Sequence, residues 1–359
     1  MTDRKLNNFE LITLNYFLVR AFLICIVFNA ILEYLKQDCW TVPLLSLIPG
    51  ILFIMIINEI IKFKPNLSIS EKICNIFNKN IAKIIIFVLF VLIYLSTLLN
   101  FLNLSNFIQS QYLNKTPLIV ICIIIMLTSF YILTKGINAI ARTSNILFYI
   151  SILLVILSFI GLLPEIELEN IKPYFTSSIS DYSNGINIFF AFNIIPMFMI
   201  SCIPKSTVKN RKIKKALIIS YILAIVSLFL IIFQTIGTFG YELTQLYEYP
   251  EFFALKHVSL VNLSARTESI LITHLIFDML IYNIFSIYFM HSIINSSLNI
   301  KNRTATYFII CILVLLGTFT LSNYNLYIYK KILSIMPFII NIFFSLFTFI
   351  FYLKIKMRK

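Results

Sequence analysis

The sequence predicts an all-α integral membrane protein of about ten transmembrane helices. Of its 359 residues, 60% are hydrophobic and 12% are charged. The apolar residues form long continuous runs, whereas a soluble core shows them at spaced positions. Because a bilayer core about 30 Å thick needs about 20 apolar residues per helix, we looked for runs of that length.

Ten runs meet or nearly meet this requirement, and together they cover most of the chain. We number them helix 1 to helix 10 from the N-terminus; the boundaries of such predictions shift by several residues. The predicted spans are 10–33, 40–61, 82–108, 117–134, 138–163, 183–203, 214–237, 267–296, 304–322 and 332–353.

The distribution of charge predicts the topology. The formal net charge is +14, but the basic residues lie in short segments between apolar runs, which excludes a folded nucleic-acid-binding face. Of the 29 Lys and Arg residues, 21 fall on the side of the N-terminus, 7 on the opposite side, and Arg20 inside helix 1. By the positive-inside rule both termini are cytoplasmic. Most acidic residues lie on the other side: Glu33, Asp38, Glu165, Glu167, Glu169, Glu242, Glu248 and Glu251.

The chain leaves no room for a separate soluble domain. Only 164–182 and 238–266 form sizeable outer segments, and the longest inner ones, 62–81 and 204–213, are basic. Ten helices divide into five plus five, a first repeat of about 10–163 and a second of about 183–353. Since each half has an odd number of helices, the halves are inverted, as in many secondary transporters.

Folds of this plan usually break the first helix of each half near the bilayer midplane. Helix 6 has residues for a break, with Gly185 early, Pro196 central and Pro204 at its end. An interior proline removes a helix hydrogen bond. Helix 1 has neither glycine nor proline, so the sequence indicates only half of the expected pair.

Signatures of catalysis, metal binding or cofactor binding are missing from the sequence. The three histidines show no metal-ligand or nucleophile–base spacing, and there is no phosphate-binding glycine loop. A membrane enzyme is the minor alternative. The first apolar run has full length and no cleavage site, so we expect it to stay attached. Six cysteines have no paired spacing and are interpreted as small apolar fillers: Cys25, Cys39, Cys74, Cys122, Cys202 and Cys311.

Two ionisable residues lie deep inside predicted helices, where charge is costly and often functional. Arg20 lies a third to halfway through helix 1, and Asp278 lies near the middle of helix 8. Asp278 shares one helical face with His274 and Tyr282 at steps of four, and Ser286 extends that face. These groups serve either a functional site or packing, since buried pairs are often structural.

Helix 3 carries a second polar stripe, which we expect to face away from lipid. It either lines a water-filled cavity or forms interhelical hydrogen bonds. Its members follow each other at steps of three and four: Ser96, Asn100, Asn103, Asn106 and Ser110.

Several short motifs, in order and almost end to end, resemble those of the spore germination receptor B-subunit family. These are permease-like members of the amino acid-polyamine-organocation superfamily. Each motif is weak alone, and their order and spacing carry the resemblance. They are Asp38-x-Trp40, Thr116-Pro117, Gly136 with Arg142, Asn170-Ile171-x-Pro173, Pro204, and the stretch from Tyr249-Pro250 through Leu255-Lys256-x-Val258 to Arg266 and Glu268.

The resemblance implies a LeuT-type fold in the inner membrane of bacterial spores. There a B subunit works with A and C subunits to sense small germinants, typically amino acids. Where the family commonly has small glycines in helix 1 or Gly-x-Glu in helix 6, this chain has bulkier residues, which argues against an ordinary α-amino acid ligand. The ligand-binding candidates are Arg20, Ala21, Phe22, Asn100, Asn103, Pro196, Phe198, His274 and Asp278.

Two functions follow from the resemblance. The first is a sensing subunit that binds a small molecule in a transporter-shaped cavity and signals to partner subunits. The second is a secondary permease for an amino acid or amine. Helices 1 and 8 are neighbours in a LeuT-type fold, and in some relatives a cation lies between them. We therefore hypothesise that Arg20 supplies this charge itself and pairs with Asp278.

Overall fold

The computed structural model describes residues 5–204, 207–209, 212–256, 267–298, 302–322 and 326–357. Nearly all of these residues are helical, as predicted. Helices 3, 4, 5, 7, 9 and 10 are single elements, whereas helices 1, 2, 6 and 8 are interrupted. The single elements are Lys79–Gln111, Leu118–Thr134, Ile137–Leu162, Ile213–Thr244, Arg303–Ser322 and Leu326–Met357. Of these, Ile213–Thr244 is kinked at Gly240.

The interrupted helices each consist of two or three pieces. Helix 2 comprises Thr41–Leu45 and Leu47–Lys62, and helix 8 comprises Thr267–Leu271 and Thr273–Leu298. The pieces of helix 1 are Asn8–Arg20, the π-helical Leu23–Val27 and Phe28–Leu35; those of helix 6 are Ile179–Phe189, the π-helical Phe190–Ile194 and the 3-10 helical Ile195–Cys202.

The helices of the described residues are long and apolar enough to cross a bilayer. Eight segments qualify by length and hydropathy, and the 17-residue Leu118–Thr134 is a shorter apolar helix. The first segment, Asn8–Lys62, has 55 residues, about 80 Å of helix, which is enough for two crossings. The first segment thus corresponds to helices 1 and 2, the other seven segments correspond to one helix each, and Leu118–Thr134 is helix 4. Together they match the ten predicted helices, and the chain is an integral membrane protein.

The loop contacts define two opposite faces. On the first, the amide of Leu6 donates to the carbonyl of Thr207 at 2.8 Å, and that of Lys209 donates to Leu6 at 2.8 Å. On that face too, the ammonium of Lys354, near the end of helix 10, lies 4.4 Å from the ring centre of Phe77, which precedes helix 3. We call this the basic face and the opposite one the acidic face. The N-terminus and loop 6/7 therefore share a face, as the charge count predicts.

On the acidic face, Asp38 connects the turn after helix 1 to the segment before helix 6. Its carboxylate accepts backbone hydrogen bonds from Phe175 at 2.8 Å, Thr176 at 2.7 Å and Ser177 at 3.0 Å. Asp38 itself is fully buried. Because Ser178 then caps helix 6, this carboxylate holds the ends of helices 1 and 6 together.

The structure confirms one boundary and corrects one interpretation. The predicted end of helix 7 at 237 lies close to an interruption at Gly240, whose φ of 68° favours glycine, and a second helical stretch continues from there to Thr244. Four cysteines are buried as expected of apolar fillers, and the half-buried Cys25 packs against the core. Cys74 is exposed, so that interpretation is wrong for Cys74. The motif residues Val258 and Arg266 lie outside the described residues.

Candidate ligand site at the helix breaks

Helix 1 is broken near its middle, although it contains neither glycine nor proline. The α-helix ends at Arg20, Ala21 and Phe22 form a turn, and the chain resumes as the π-helical Leu23–Val27. Cys25 has a φ of 63°, which is unusual for a residue with a side chain. Such a conformation persists only where the surrounding structure enforces it.

Two asparagines from distant helices bind the carbonyls that the break releases. The amide group of Asn100, on helix 3, donates to the carbonyl of Ala21 at 2.7 Å. That of Asn193, on helix 6, donates to the carbonyl of Val19 at 2.6 Å. Buried carbonyls without a partner would cost about 1–3 kcal/mol each. These two side chains therefore stabilise the break, and they place Asn100 and Ala21, both predicted site residues, in direct contact.

Helix 6 leaves the α-helical conformation at Phe190 and becomes 3-10 helical from Ile195 to Cys202. Pro196, the expected break residue, is the second residue of this 3-10 segment. The two breaks meet, because the ring centres of Phe22 and Phe192 are 5.1 Å apart. The first helix of each half is thus irregular, and the irregular parts are in contact.

Arg20 lies beside the break and forms the predicted pair with Asp278. Its Nε and Nη2 atoms each lie 2.9 Å from Oδ2 of Asp278. Nη1 donates to the hydroxyl of Tyr16, one turn earlier, and Nη2 lies 2.9 Å from Nδ1 of His274. Both charged side chains are at most 1% exposed. The hypothesis that Arg20 pairs with Asp278 is confirmed.

The geometry fixes the proton on His274. A guanidinium has five N–H donors and no acceptor, so Nδ1 of His274 must accept from Arg20. The imidazole is therefore neutral, with its proton on Nε2. Arg20 and Asp278 neutralise each other, and the cluster carries no net charge.

Aromatic rings pack against each other next to the break. The ring of Tyr282, one turn after Asp278, packs edge-on against Phe22 at 4.8 Å between centres. Asn103 is buried one turn after Asn100 on helix 3. Phe198 instead packs against Phe289, Phe344 and Phe347. The cluster that the structure assembles thus joins most, but not all, of the predicted site residues.

Three buried oxygen atoms around the break have no hydrogen-bond partner among the described residues. They are Oδ1 of Asn100, Oδ1 of Asn193 and Oδ1 of Asp278. Unpaired buried acceptors are costly and call for an explanation. A small molecule with N–H or O–H donors would satisfy them. Asn193 and Tyr16 are residues of this cluster that sequence reasoning missed. A single asparagine or tyrosine gives no signal in a chain that is rich in both.

Comparison with known proteins identifies the family. A family model described as spore germination protein, with the short name Spore_permease, matches residues 16–326. The chain belongs to this family. No protein of curated function matches its sequence significantly.

Solved structures similar to this spore germination family member are transporters of the LeuT fold. A manganese transporter from Eremococcus coleocola, crystallised with an aromatic bis-isothiourea compound, has a TM-score of 0.63 and 14% identity, covering 96% of this chain and 78% of its own. A Na⁺-coupled sialic acid symporter, substrate-bound and outward-open, has a TM-score of 0.58 and 11% identity, covering 94% and 85%. At these identities the likeness establishes the fold alone, which is the predicted five-plus-five inverted repeat.

Proposed function

We propose that this protein is the small-molecule sensing subunit of a spore germination receptor complex, and that its ligand acts at the paired helix breaks. The observation that carries the proposal is the buried pair of Arg20 and Asp278. A Na⁺-coupled transporter must release its cation in every cycle. Here the cation at the junction of helices 1 and 8 is a covalently attached guanidinium, which cannot leave. A fixed charge favours a switch over an ion-driven pump.

The proposed conformational switch has two parts, which are helices 1 and 6 in the first and helices 3 and 8 in the second. Asn100 and the Asp278–Arg20 pair hold helix 1 against helices 3 and 8. A ligand that supplies donors to the oxygens of Asn100, Asn193 and Asp278 that have no partner in the described part of the chain alters these contacts. A ligand shifts the equilibrium between two conformations only by its difference in affinity for them. Here the replacement of hydrogen bonds within the protein by hydrogen bonds to the ligand is the source of that difference, and therefore of the signal.

The ligand of this site is a small germinant with hydrogen-bond donors. The released carbonyls of Val19 and Ala21 are already bound by asparagines, and the bulky rings of Phe22 and Tyr282 pack edge-on against each other beside the break. These contacts leave little room for the carboxylate of an ordinary α-amino acid, which the sequence also argues against. Binding would displace the ring of Phe22.

The proposed setting is the inner membrane of the spore, with A and C subunits as partners and the basic face in the cytoplasm. The charge count supports this orientation. The family match supports the setting, since the family is that of spore germination proteins.

Deletion of the gene in the host tests the proposal. Mutant spores should lose the response to a particular small molecule and keep the responses to others. Complementation with the native chain should restore that response. In parallel, the purified protein in vesicles should drive no uptake of that molecule.

The alternative is a secondary permease for an amino acid or amine, which the transporter fold favours. If mutant spores respond normally to every germinant, and the protein drives uptake in vesicles, this alternative replaces the sensing role.

A further inference from the structure

A groove lies at the basic-face end of helix 7, where a membrane-spanning segment begins. It has a volume of about 560 Å³ and is lined by Lys212, Lys214, Lys215, Ile218 and Ile219. Helix 7 begins at Ile213, so the lysines lie just before this helix and in its first turn. The groove therefore joins three positive charges to two apolar side chains at one end of a membrane helix.

The charges of the groove call for a negatively charged partner. Its three lysines are exposed, and none of them is ion-paired with another described residue. Like charges that line one groove repel each other, and an anion between them relieves this repulsion. The alkyl stems of lysines cover apolar surface while the ammonium groups reach water. The groove thus favours an anion that also has an apolar part.

An apolar stripe continues the groove along helix 7. Its members lie on one helical face and are between 37% and 46% exposed: Ile219, Ile222, Leu223 and Val226. The other side of the helix is buried, and there the hydroxyl of Ser220 accepts a hydrogen bond from the side chain of Asn15, on helix 1, at 2.7 Å. From Lys215 the stripe extends about 16 Å along the helix, which is about half of a bilayer core, or one leaflet.

We propose that this groove binds one anionic phospholipid from the adjoining leaflet. The phosphate of the head group lies among the three ammonium groups, and an acyl chain lies along the apolar stripe. The charge of the lipid matches the lysines, and the length of the stripe matches one leaflet. A soluble anion would use the charges alone, and a neutral phospholipid would use the stripe alone. Basic pockets at the membrane surface bind anionic head groups in this way.

The inference goes beyond the proposed function and does not rest on it. None of the described residues that line the groove belongs to helix 1 or helix 6, where the breaks lie. The bound lipid anchors the basic-face end of helix 7. Because Ser220 on the opposite side of that helix binds Asn15, the lipid anchors the helix against which the first piece of helix 1 packs.

The experiment uses the full chain in detergent and native mass spectrometry, which counts the lipids that stay bound. The probes are phosphatidylglycerol, which carries a net negative charge, and phosphatidylcholine with the same acyl chains, which is neutral overall. The native chain should bind one phosphatidylglycerol about tenfold or more tighter than phosphatidylcholine. Lys214→Gln combined with Lys215→Gln should weaken the binding of phosphatidylglycerol about tenfold or more, since each lysine near a membrane surface contributes about fivefold.

Three further variants make the assignment specific. Lys79→Gln combined with Lys83→Gln removes two exposed lysines from the same face, at the start of helix 3, and should bind phosphatidylglycerol like the native chain. Lys214→Arg combined with Lys215→Arg keeps the charge and should also bind like the native chain. Ile219→Trp puts a larger side chain into the groove without changing the charge, and it should weaken binding several-fold.

Equal binding of phosphatidylglycerol by the native chain and the glutamine variant of Lys214 and Lys215 overturns the site. An equal loss in the variant of Lys79 and Lys83, or no loss in Ile219→Trp, shows general attraction to the basic face and overturns the groove. Equal binding of phosphatidylcholine, or displacement of phosphatidylglycerol by inorganic phosphate at constant ionic strength, overturns the assignment to an anionic lipid. These binding measurements on the isolated chain succeed or fail independently of any germination phenotype.

Discussion

Nε and Nη2 of Arg20 both lie 2.9 Å from a single oxygen atom of Asp278, Oδ2, across the junction of helices 1 and 8. The other carboxylate oxygen, Oδ1, has no partner among the described residues. The pair therefore holds the broken helix against its neighbour and still leaves an acceptor for a ligand. Opposite charges buried together offset part of each other's desolvation cost.

Removal of the Tyr16 hydroxyl should weaken this cluster. The hydroxyl accepts a hydrogen bond from Nη1 of Arg20, and hydrogen bonds to charged groups contribute about 1.5–3 kcal/mol. The Tyr16→Phe variant should therefore unfold at a lower temperature in detergent than the native chain. Tyr149→Phe is the matched control, because that ring is 64% exposed and its variant should unfold like the native chain. Equal midpoints for Tyr16→Phe and the control would contradict the role given to the hydroxyl.

Much of the fold could be predicted because its signals are local. Apolar runs of bilayer length located the helices, and the alternation of basic segments placed the N-terminus and loop 6/7 on one face. Arg20 and Asp278 were predicted as a pair because ionisable groups inside the bilayer stand out in the sequence.

The break in helix 1 could not be predicted, since it depends on residues far along the chain. Asn100 and Asn193 are 79 and 174 positions away from the carbonyls that they bind. No glycine or proline marks the position. The burial of Glu251 was equally invisible, because an acid in a loop is normally exposed to water.

Asp38 should be essential for the stability of the acidic face. Its carboxylate accepts three backbone hydrogen bonds from residues 175–177, and each donor left unpaired costs about 1–3 kcal/mol. Asp38→Ala should markedly lower the unfolding midpoint and the yield of folded protein. Glu169→Ala removes an exposed carboxylate from the loop that contains residues 175–177. This control should change neither the unfolding midpoint nor the yield. A fall of the same size in both variants would show that the backbone contacts of Asp38 are not the cause.

Glu251 should make the native chain less stable as the pH rises. Burial raises its pKa to about 8 from an ordinary value of 4.5. Between those values the folded state holds a proton that the unfolded chain has lost, so the free energy of unfolding falls with pH across this window and is level above it. Unfolding midpoints from about pH 5 to about pH 9 should show this fall in the native chain. The Glu251→Gln variant should show a smaller fall, and an identical pH profile in both would show that the buried carboxyl of Glu251 is not the cause.

Labelling of single cysteines tests the orientation. In a background without the six native cysteines, Lys209→Cys lies on the basic face and Glu169→Cys on the acidic face; both positions are exposed. An impermeant maleimide added to intact cells should label the second and spare the first. Labelling of Lys209→Cys from outside would reverse the orientation inferred from the positive-inside rule.

The most direct test of the account is a double-mutant cycle on Arg20 and Asp278, read as the germinant response and the protein level in spores. Asp278→Asn leaves the buried guanidinium with a neutral partner and should lower both, since breaking a buried pair costs about 3–5 kcal/mol. Adding Arg20→Gln removes the unpaired charge and should recover part of the loss. Independent, additive losses in the double variant would contradict direct coupling between the two residues. They would also contradict the proposal that the fixed positive charge of Arg20, paired with Asp278, forms part of a switch.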